Sequence, residues 1–390
     1  MSSAGECDGT PESELIPDGN RMTRLRRNLS RWYAANGREL PWRATHDPYR
    51  IWISEIMLQQ TTVAAVIPYF DRFLKQFPTV DVLAAADEND VLRMWEGLGY
   101  YSRARNIHTT ARQLVAERDG TFPEDADELQ RLPGIGRYTA GAIASFAFDR
   151  RAPIVEANTL RLYSRLLGYQ GDPRSSAGQK LLWRFAEEVL PRKQPGRFNQ
   201  ALMELGSTVC TPTAPDCPKC PLRTVCRAFA ENLQSEIPRP KPRPQITPVV
   251  EASIAIRRAD TYLLRQRRPE ERWAGLWDFP RFEVGPDLLS QADESPERMV
   301  PFLQQSLRQP LEKLTGVSAE LTSVVTELRH SVTRYRIRLI CLEAEYRDGR
   351  LANGEETQQW CRPEEFEGLA FSVTGRKLAR LLSQRDIGSS

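Results

Sequence analysis

The sequence predicts a multidomain protein in which an all-α domain precedes an α+β domain. From residue 21 to about 234, apolar residues recur at intervals of three and four, which is the spacing that buries one face of a helix. A segment with five prolines, 235–248, then disfavours any helix and indicates a linker. Beyond it, stretches such as 251–257 and 335–343 alternate apolar and polar residues, which is typical of half-buried strands.

The length of 390 residues suits two or three domains. We expect a disordered tail over 1–20, a helical domain over 21–234, the linker over 235–248 and the α+β domain over 249–385. The tail carries acids, glycine and proline without an apolar core, so it does not resemble a signal peptide. The apolar stretches are too short to cross a bilayer, and a net charge of +3 does not by itself indicate a nucleic-acid partner.

Within the helical domain, residues 51–62 form an apolar helical stretch that contains one acid, Glu55. Burial among Trp52, Ile56 and Leu58 would raise the pKa of Glu55 and make it a proton donor near neutral pH. A surface glutamate on an amphipathic helix is the alternative interpretation.

The segment 132–142, LPGIGRYTAGA, predicts two helices joined by a tight hairpin. Gly134 and Gly136 allow close chain reversal and leave backbone amides uncovered at the start of the second helix, where the dipole favours an anion such as a DNA phosphate. An ordinary helix–turn–helix corner is the alternative.

A second candidate carboxylate, Glu156, follows an apolar stretch and precedes a predicted helix over 159–167. A helix N-terminus stabilises negative charge, so Glu156 suits either a helix-start carboxylate or one half of a catalytic pair. In a glycosidase such a pair divides the work: one acid protonates the leaving group, and the other carboxylate stabilises or traps the sugar cation.

Four cysteines, Cys210, Cys217, Cys220 and Cys226, close the helical domain. Thiolates this close in sequence suit an iron–sulfur cluster or zinc, although disulfides are a third possibility. A zinc site with four cysteines usually pairs two Cys-x2-Cys units, and this run has only one.

Several longer motifs carry a family resemblance. They are LPWR at 40–43, SEIMLQQT at 54–61, GLGYYSRARN at 97–106, LPGIGRYTAGA at 132–142, FNQALMELG at 198–206, the cysteine run, and LRQRRPEERWAGLWDFPRFE at 264–283. With these motifs the chain resembles the adenine DNA glycosylase (MutY) family of the endonuclease III superfamily, over residues ~25 to 380. The resemblance implies a helix-hairpin-helix glycosylase domain with a 4Fe–4S cluster on the four cysteines, followed by a Nudix-like domain that recognises 8-oxoguanine.

The resemblance also implies a substrate and residue roles. The family removes adenine mispaired with 8-oxoguanine, or with guanine, from duplex DNA after flipping the base. Glu55 matches the catalytic acid, and Tyr138 and Asn158 match residues that support the catalytic carboxylate, which corresponds to Glu156. Arg43 and Glu204 match residues of the adenine pocket. Gln60 and Tyr100 match residues that wedge into the duplex.

Tyr138 carries a negative inference. Bifunctional members of the superfamily place a lysine at this position to form a Schiff base, which tyrosine cannot form. We therefore expect a monofunctional enzyme that does not nick the strand efficiently. Two alternatives stay open: a related glycosylase with another base preference, and a lesion-binding protein without catalysis if Glu156 is not competent.

The chain departs from the family pattern at the second carboxylate. The family has Asp-Gly-Asn where this chain has Glu156-Ala157-Asn158. The extra methylene moves a carboxylate by about 1–1.5 Å unless the backbone adjusts, and such a shift can cost ~100-fold in rate. We expect a working glutamate in a rebuilt loop, because the other positions that carry the chemistry are intact.

The other departures lie in the C-terminal domain. The family's lesion-reading Phe-Ser-His is replaced by Val332-Thr333-Arg334, in which Thr333 keeps a hydroxyl for the lesion. The metal-binding glutamates of a nucleotide hydrolase are also missing, since the matching stretch carries Pro310, Lys313 and Leu314.

We expect a monomeric, cytoplasmic and nucleoid-associated protein whose cysteine loop holds DNA rather than performs chemistry. Base excision is hydrolytic and needs no electron, so the cluster would order the basic residues Lys219, Arg223 and Arg227 for phosphate contact. Loss of the cluster would then weaken DNA binding and leave the catalytic carboxylates undisturbed.

Overall fold

Residues 15–240, 245–284, 296–352 and 357–387 are described by the structure, a computed structural model. The first fourteen residues of the predicted tail and positions 241–244 of the predicted linker lie outside the described residues. The chain divides into two units. The helical unit consists of Met1–Ala84 with Thr109–Pro242, and the mixed unit consists of Ala85–His108 with Arg243–Ser390.

The helical part of the chain begins at residue 19. Its helices are α1 (Gly19–Asn36), α2 (Pro48–Leu58), α3 (Val63–Gln76), α4 (Val80–Ala85), α5 (Glu88–Trp95), α6 (Ser102–Arg118), α7 (Ala126–Leu129), α8 (Arg137–Phe148), α9 (Ala157–Leu167), α10 (Ser176–Val189), α11 (Pro195–Thr208) and α12 (Arg227–Ala230). α5 and the start of α6 fall in the mixed unit.

Side-chain caps set several of these helix starts. Asp18, Asp47, Thr62 and Ser175 each accept a hydrogen bond from a backbone N–H in the first turn of the helix that follows. Such caps satisfy donors that have no partner within the helix. A core of Leu, Val, Phe and Ala side chains from α1, α9, α10 and α11 then holds the start of α9 against α11.

The mixed unit contains a seven-stranded sheet with one helix on each face. Its elements are β1 (Thr247–Arg258), β2 (Thr261–Gln266), β3 (Trp277–Asp278), β4 (Arg281–Glu283), α13 (Pro296–Thr315), β5 (Val317–Val332), β6 (Tyr335–Gly349), β7 (Gln358–Cys361) and α14 (Val373–Ile387). The main strand order is β3-β2-β1-β6-β5, with β4 paired to β1 and β7 to β2. β1 and β6 are parallel and the remaining pairs are antiparallel, so the sheet is mixed, in agreement with the predicted α+β domain.

The long hairpin of β5 and β6 presents a two-residue turn. Val332 pairs with Tyr335, so Thr333 and Arg334 form the tip. Thr333 has φ +52°, which is the left-handed conformation that such short hairpin turns require. Among the described residues, no helix is long and apolar enough to cross a membrane.

Candidate active site

A pocket of about 1060 Å³ in the helical unit brings the two candidate carboxylates together. Glu55 on α2 and Tyr138 on α8 line it, together with Glu156 and Asn158 at the start of α9. Arg43, from the single turn Pro41–Arg43, lines another part of the wall. Segments far apart in sequence therefore converge on one concave surface of the size that binds small ligands.

Glu55 is a buried acid with a raised pKa. Its side chain lies among apolar neighbours on α2 and the residue is 3% exposed. Burial raises the pKa of Glu55 to about 7, and the nearby charge of Glu156 adds to this effect, whereas the Tyr138 hydroxyl and Arg43 oppose it. The Tyr138 hydroxyl donates to Glu55 Oε2 over 2.5 Å and lies 3.8 Å from Met203 Sδ. Glu55 can therefore hold a proton at neutral pH.

Glu156 is the N-cap residue of α9 and has a different environment. Its Oε2 accepts from the backbone N–H of Asn158 at 2.8 Å and from Asn158 Nδ2 at 3.2 Å, while Oε1 accepts from the backbone N–H of Thr159 at 2.9 Å. The Thr159 hydroxyl accepts in return from the Glu156 N–H at 2.8 Å, which completes a capping box. Burial raises the pKa of Glu156, but these hydrogen bonds and Arg161 favour the carboxylate form.

Arg161 connects the start of α9 to the loop that carries the four cysteines. Its Nη2 donates to Asn158 Oδ1 at 2.9 Å and to the Gly206 carbonyl at 2.6 Å, and its Nε donates to the Cys210 carbonyl at 2.7 Å. A Cβ on Gly206 would lie 2.9 Å from Asn158 Cβ, so α11 packs directly against the start of α9. The predicted independence of the cysteine loop and the carboxylates is therefore not supported by these contacts.

Glu204 does not itself line the pocket, in contrast to the predicted pocket role, but it binds two arginines that do, Arg38 and Arg43. Glu204 is fully buried and accepts from Arg38 Nε at 2.6 Å and from Arg43 Nη2 at 2.8 Å. Burial would raise the pKa of Glu204, but the hydrogen bonds and charges of Arg38 and Arg43 outweigh it and hold the pKa below its usual value. Glu204 is thus an anion that fixes Arg43 at the wall, not a second proton donor.

The hairpin at 134–136 and Gln60 lie at the same pocket. Gly134 has φ +73°, and a Cβ at Gly136 would meet nothing within 4 Å, so the amides at the start of α8 stay open to an approaching group. Gln60 lines the pocket with φ +59°, just beyond the end of α2. An open helix N-terminus of this kind favours an anion, and Gly136 lies at the edge of the recessed pocket.

The four cysteines line one small pocket between the end of α9 and the short turns 217–219 and 223–225. All four are free thiols, and Arg165 Nη1 lies 3.3 Å from Cys210 Sγ. Within the described part of the chain, no group of three cysteine, histidine or acidic side chains forms a site for a single metal ion.

Two further candidates, Tyr100 and Thr333, belong to the mixed unit. Tyr100 is 49% exposed and has φ +51°, an unusual combination for a large aromatic residue. Thr333 is exposed at the tip of the β5–β6 hairpin, where its hydroxyl donates to the Val332 carbonyl at 2.7 Å.

Sequence reasoning missed three side chains that hold the site. They are Arg38, Thr159 and Arg161, each of which contacts a candidate residue directly. The role of Thr159 could have been predicted from the sequence, since a hydroxyl three residues after an acidic N-cap is one half of a capping box. Arg38 had no local signal, because its partner Glu204 is 166 residues away. Arg161 is three residues from Asn158, but its contacts with Gly206 and Cys210 are 45 and 49 residues away and had no local signal.

Comparison with known proteins agrees with this geometry. Residues 53–188 match the family model described as HhH-GPD superfamily base excision DNA repair protein, and residues 252–381 match the NUDIX domain model. The chain is similar to the structure titled "Structure of a thermostable thymine-DNA glycosylase", with 28% identity and a TM-score of 0.51, covering 54% of this chain and 98% of that one. The two units therefore have the fold classes that the sequence predicts.

Curated relatives extend the similarity over the whole chain. The adenine DNA glycosylase of Rattus norvegicus is 33% identical across 97% of this chain and 82% of its own length. The adenine DNA glycosylase of Mus musculus is 41% identical across 68% of this chain, and the match spans 53% of that protein.

Proposed function

This chain belongs to the adenine DNA glycosylase family, whose members are base excision repair hydrolases of N-glycosyl bonds, and we propose that it removes adenine mispaired with 8-oxoguanine or guanine in duplex DNA. The observation that carries the proposal is the pocket in which a protonated Glu55 faces a carboxylate held at a helix N-terminus. Two acids in contrasting environments are the means by which glycosidases separate the roles of acid and anion.

Glu55 is the proton donor. Its pKa of about 7 keeps much of it protonated at neutral pH, and adenine needs a proton on its ring to become a neutral leaving group. The Tyr138 hydroxyl fixes the carboxyl group by its hydrogen bond to Oε2 and stabilises the carboxylate that remains after proton transfer.

Glu156 is the anion that stabilises the sugar oxocarbenium ion or traps it covalently. Three hydrogen bonds from Asn158 and Thr159 orient it without neutralising it. They also support a working glutamate in place of the family's aspartate. The longer side chain folds back onto its own helix N-terminus, so the extra methylene does not have to project the carboxylate further into the pocket.

The same site supports a monofunctional reaction. A Schiff base requires an amine, and the position facing Glu55 is filled by the Tyr138 hydroxyl. Water therefore completes the reaction, either by attack on the sugar cation or by hydrolysis of the bond between the sugar and Glu156, and the product is an abasic site. Strand cleavage then needs heat or alkali.

The four cysteines are the ligands we assign to a 4Fe–4S cluster. Their donor set fits, because four free thiols line one small pocket and such clusters are held by four cysteine thiolates. When bound, the cluster supplies a crosslink that holds the loop of Lys219 and Arg223 for phosphate contact.

The mixed unit carries two residues that we assign to contacts with the lesion in the substrate. Thr333 presents a hydroxyl at an exposed hairpin tip, and Tyr100 presents an exposed aromatic ring that suits wedging into a base stack. Gln60, at the pocket of the helical unit, is the second wedge residue. With Thr333 in place of the family's serine and no aromatic neighbour in Val332, discrimination of 8-oxoguanine from guanine rests more on the hydroxyl.

A single-turnover assay tests the proposal. Excess protein is incubated with duplexes that contain A:8-oxoguanine, A:G or T:G, and half of each sample is treated with alkali. Alkali-dependent cleavage of the adenine strand, and none of the T:G duplex, is the expected result. Cleavage of T:G alone would favour another base preference, as in the structural relative, and tight binding with no cleavage would identify a lesion binder.

A further inference from the structure

The turn that presents Tyr100 is held by a C-terminal segment of the same unit. Gly97, Gly99 and Tyr100 all have positive φ values, so this turn follows an unusual backbone path. By sequence it lies inside the match to the glycosylase domain, 53–188, but its contacts place it with the C-terminal unit. An exposed aromatic residue on a strained turn costs stability, which indicates a functional demand on its position.

The contacts converge on residues 368–376. The Glu96 carboxylate accepts from both Arg376 Nε at 2.8 Å and Arg376 Nη2 at 2.9 Å, a paired geometry that fixes direction as well as distance. Glu96 is 18% exposed at its side chain and Arg376 is 9% exposed, so water competes weakly with the pair. The Glu96 Oε2 also accepts from the backbone N–H of Phe371 at 3.4 Å.

The backbone of Phe371 completes the grip on the turn. Its carbonyl accepts from the Tyr101 hydroxyl at 3.4 Å, and the same hydroxyl accepts from the Gly97 N–H at 3.3 Å. One residue of the C-terminal segment therefore contacts both ends of the turn from 96 to 101. On α5, Asn89 adds hydrogen bonds to the Gly368 carbonyl at 2.9 Å and the Ala370 N–H at 3.1 Å.

Arg103, at the start of α6, contacts both the turn and the Tyr100 ring. Its Nη2 donates to the Gly99 carbonyl at 3.1 Å, and its guanidinium lies 5.7 Å from the Tyr100 ring centroid. Trp95 Nε1 donates to the same carbonyl at 3.2 Å. The turn is thus rigid within itself, and its orientation depends on the anchors at Glu96 and Tyr101.

We propose that Glu96, Arg376 and the Phe371 backbone are a positioning device that sets the Tyr100 wedge, so that the C-terminal unit controls how the enzyme opens the duplex beside the lesion. The inference rests on the proposed function for the role of Tyr100. Glu96 and Arg376 act through Tyr100 and need not touch DNA themselves.

The experiment measures how strongly Tyr100 unstacks the duplex, with a substrate that is not hydrolysed. Duplexes carry 8-oxoguanine or guanine opposite 2′-fluoro-2′-deoxyadenosine, whose glycosidic bond resists hydrolysis, and 2-aminopurine beside the lesion, whose fluorescence rises when it is unstacked. Wild type is expected to raise the fluorescence, and Glu96→Ala and Tyr100→Ala to lower the response at least threefold. Glu96→Gln keeps an acceptor for the Phe371 N–H, so its fluorescence response should lie between those of wild type and Glu96→Ala.

A matched control separates positioning from general loss of stability. Glu327 pairs with Arg338 in the same unit, with 20% and 12% of those side chains exposed, and it is not part of the 85–108 segment. Glu327→Ala should leave the fluorescence response at the wild-type level. Arg376→Met is the second variant if Glu96→Ala does not fold, as judged by circular dichroism.

Single-turnover rates complete the test. Glu96→Ala is expected to reduce the ratio of rates for A:8-oxoguanine over A:G about tenfold, and to have no further effect in a Tyr100→Ala background, because both act on one step. A folded Glu96→Ala with wild-type fluorescence, or an additive loss in that background, would overturn the inference. Failure of wild type to excise adenine from either duplex would instead reject the proposed function, while the fluorescence still tests the wedge.

Discussion

Glu55 in the helical unit and Glu251 in the mixed unit are both buried carboxylates, but the groups that hydrogen-bond to them differ in charge. In the helical unit, Glu55 accepts a hydrogen bond from a tyrosine hydroxyl and its pKa rises to about 7. In the mixed unit, Glu251 accepts from Arg272 and Arg281, each at 2.5 Å, and Asp278 accepts from Arg267 at 2.9 and 3.0 Å. An acid without a cationic partner stays reactive, whereas one that is paired with arginine becomes part of the scaffold.

The mixed unit matches the NUDIX domain model, and the arginine pairing of Glu251 and Asp278 agrees with our expectation that it does not hydrolyse nucleotides. Its buried acids are neutralised by guanidinium groups and are not arranged to hold a hard cation, and Pro310, Lys313 and Leu314 occupy the stretch where the metal-binding glutamates are expected. Under the proposed function, the mixed unit serves recognition and the chemistry takes place in the helical unit.

The largest effect is expected from Glu55→Gln. The amide cannot donate an acidic proton to adenine, so the single-turnover rate should fall by about 10²–10⁴-fold while the affinity for DNA stays within a few-fold. Because the folded state favours the protonated acid, the variant should be at least as stable as wild type at pH 8, as measured by thermal unfolding. A rate within tenfold of wild type would remove the contrast between the two units.

Glu156 is the next test of the helical unit. Glu156→Gln keeps acceptors for some of the N-cap bonds and removes the charge, so the rate should fall by about 10²–10³-fold in a single-turnover assay. Glu156→Asp is the matched variant, and we expect it to be no faster than wild type. A large rate gain in Glu156→Asp would mean that the glutamate impairs the enzyme.

In the mixed unit, breaking a buried pair should affect stability and not rate. Arg281→Met leaves the Glu251 carboxylate with fewer cationic partners in a buried position, and we expect the free energy of unfolding to drop by about 3–5 kcal/mol. Denaturant unfolding, followed by fluorescence and circular dichroism, measures this drop. Excision at a temperature where the variant stays folded should remain close to wild type, and a loss as large as that of Glu55→Gln would contradict the division of roles.

The pH dependence gives the smallest and most specific effect. Burial raises the pKa of Glu55 to about 7, so the excision rate should decline about tenfold per pH unit above that value as the acid deprotonates. Below it, the rate should fall only when Glu156 becomes protonated. The Tyr138 hydrogen bond lowers the pKa of Glu55, so Tyr138→Phe should move the upper limb to higher pH. If the upper limb of the pH–rate profile does not shift in Tyr138→Phe, a group other than Glu55 is responsible for that limb.

Much of the fold could be predicted from local patterns. Three- and four-residue spacing, the proline-rich stretch and the later alternation depend on how a chain buries one face of each element, so they can be read without tertiary contacts. The division of the chain was harder to predict. Residues 85–108 carry α5, a turn and the start of α6, and they lie within the glycosylase match. They nevertheless pack with the C-terminal unit, and no local pattern encodes that choice.

The sequence by itself determined which groups are available for chemistry: the apolar stretch around Glu55, the glycines of the hairpin, the four thiols, and a tyrosine in place of lysine at residue 138. Only the tertiary structure decided their protonation and partners. A pKa depends on burial and on charges within a few ångströms, and Tyr138, Glu156 and Arg43 reach Glu55 from separate segments. The same holds for Arg161 and Arg376, whose long side chains join loops that are distant in the chain.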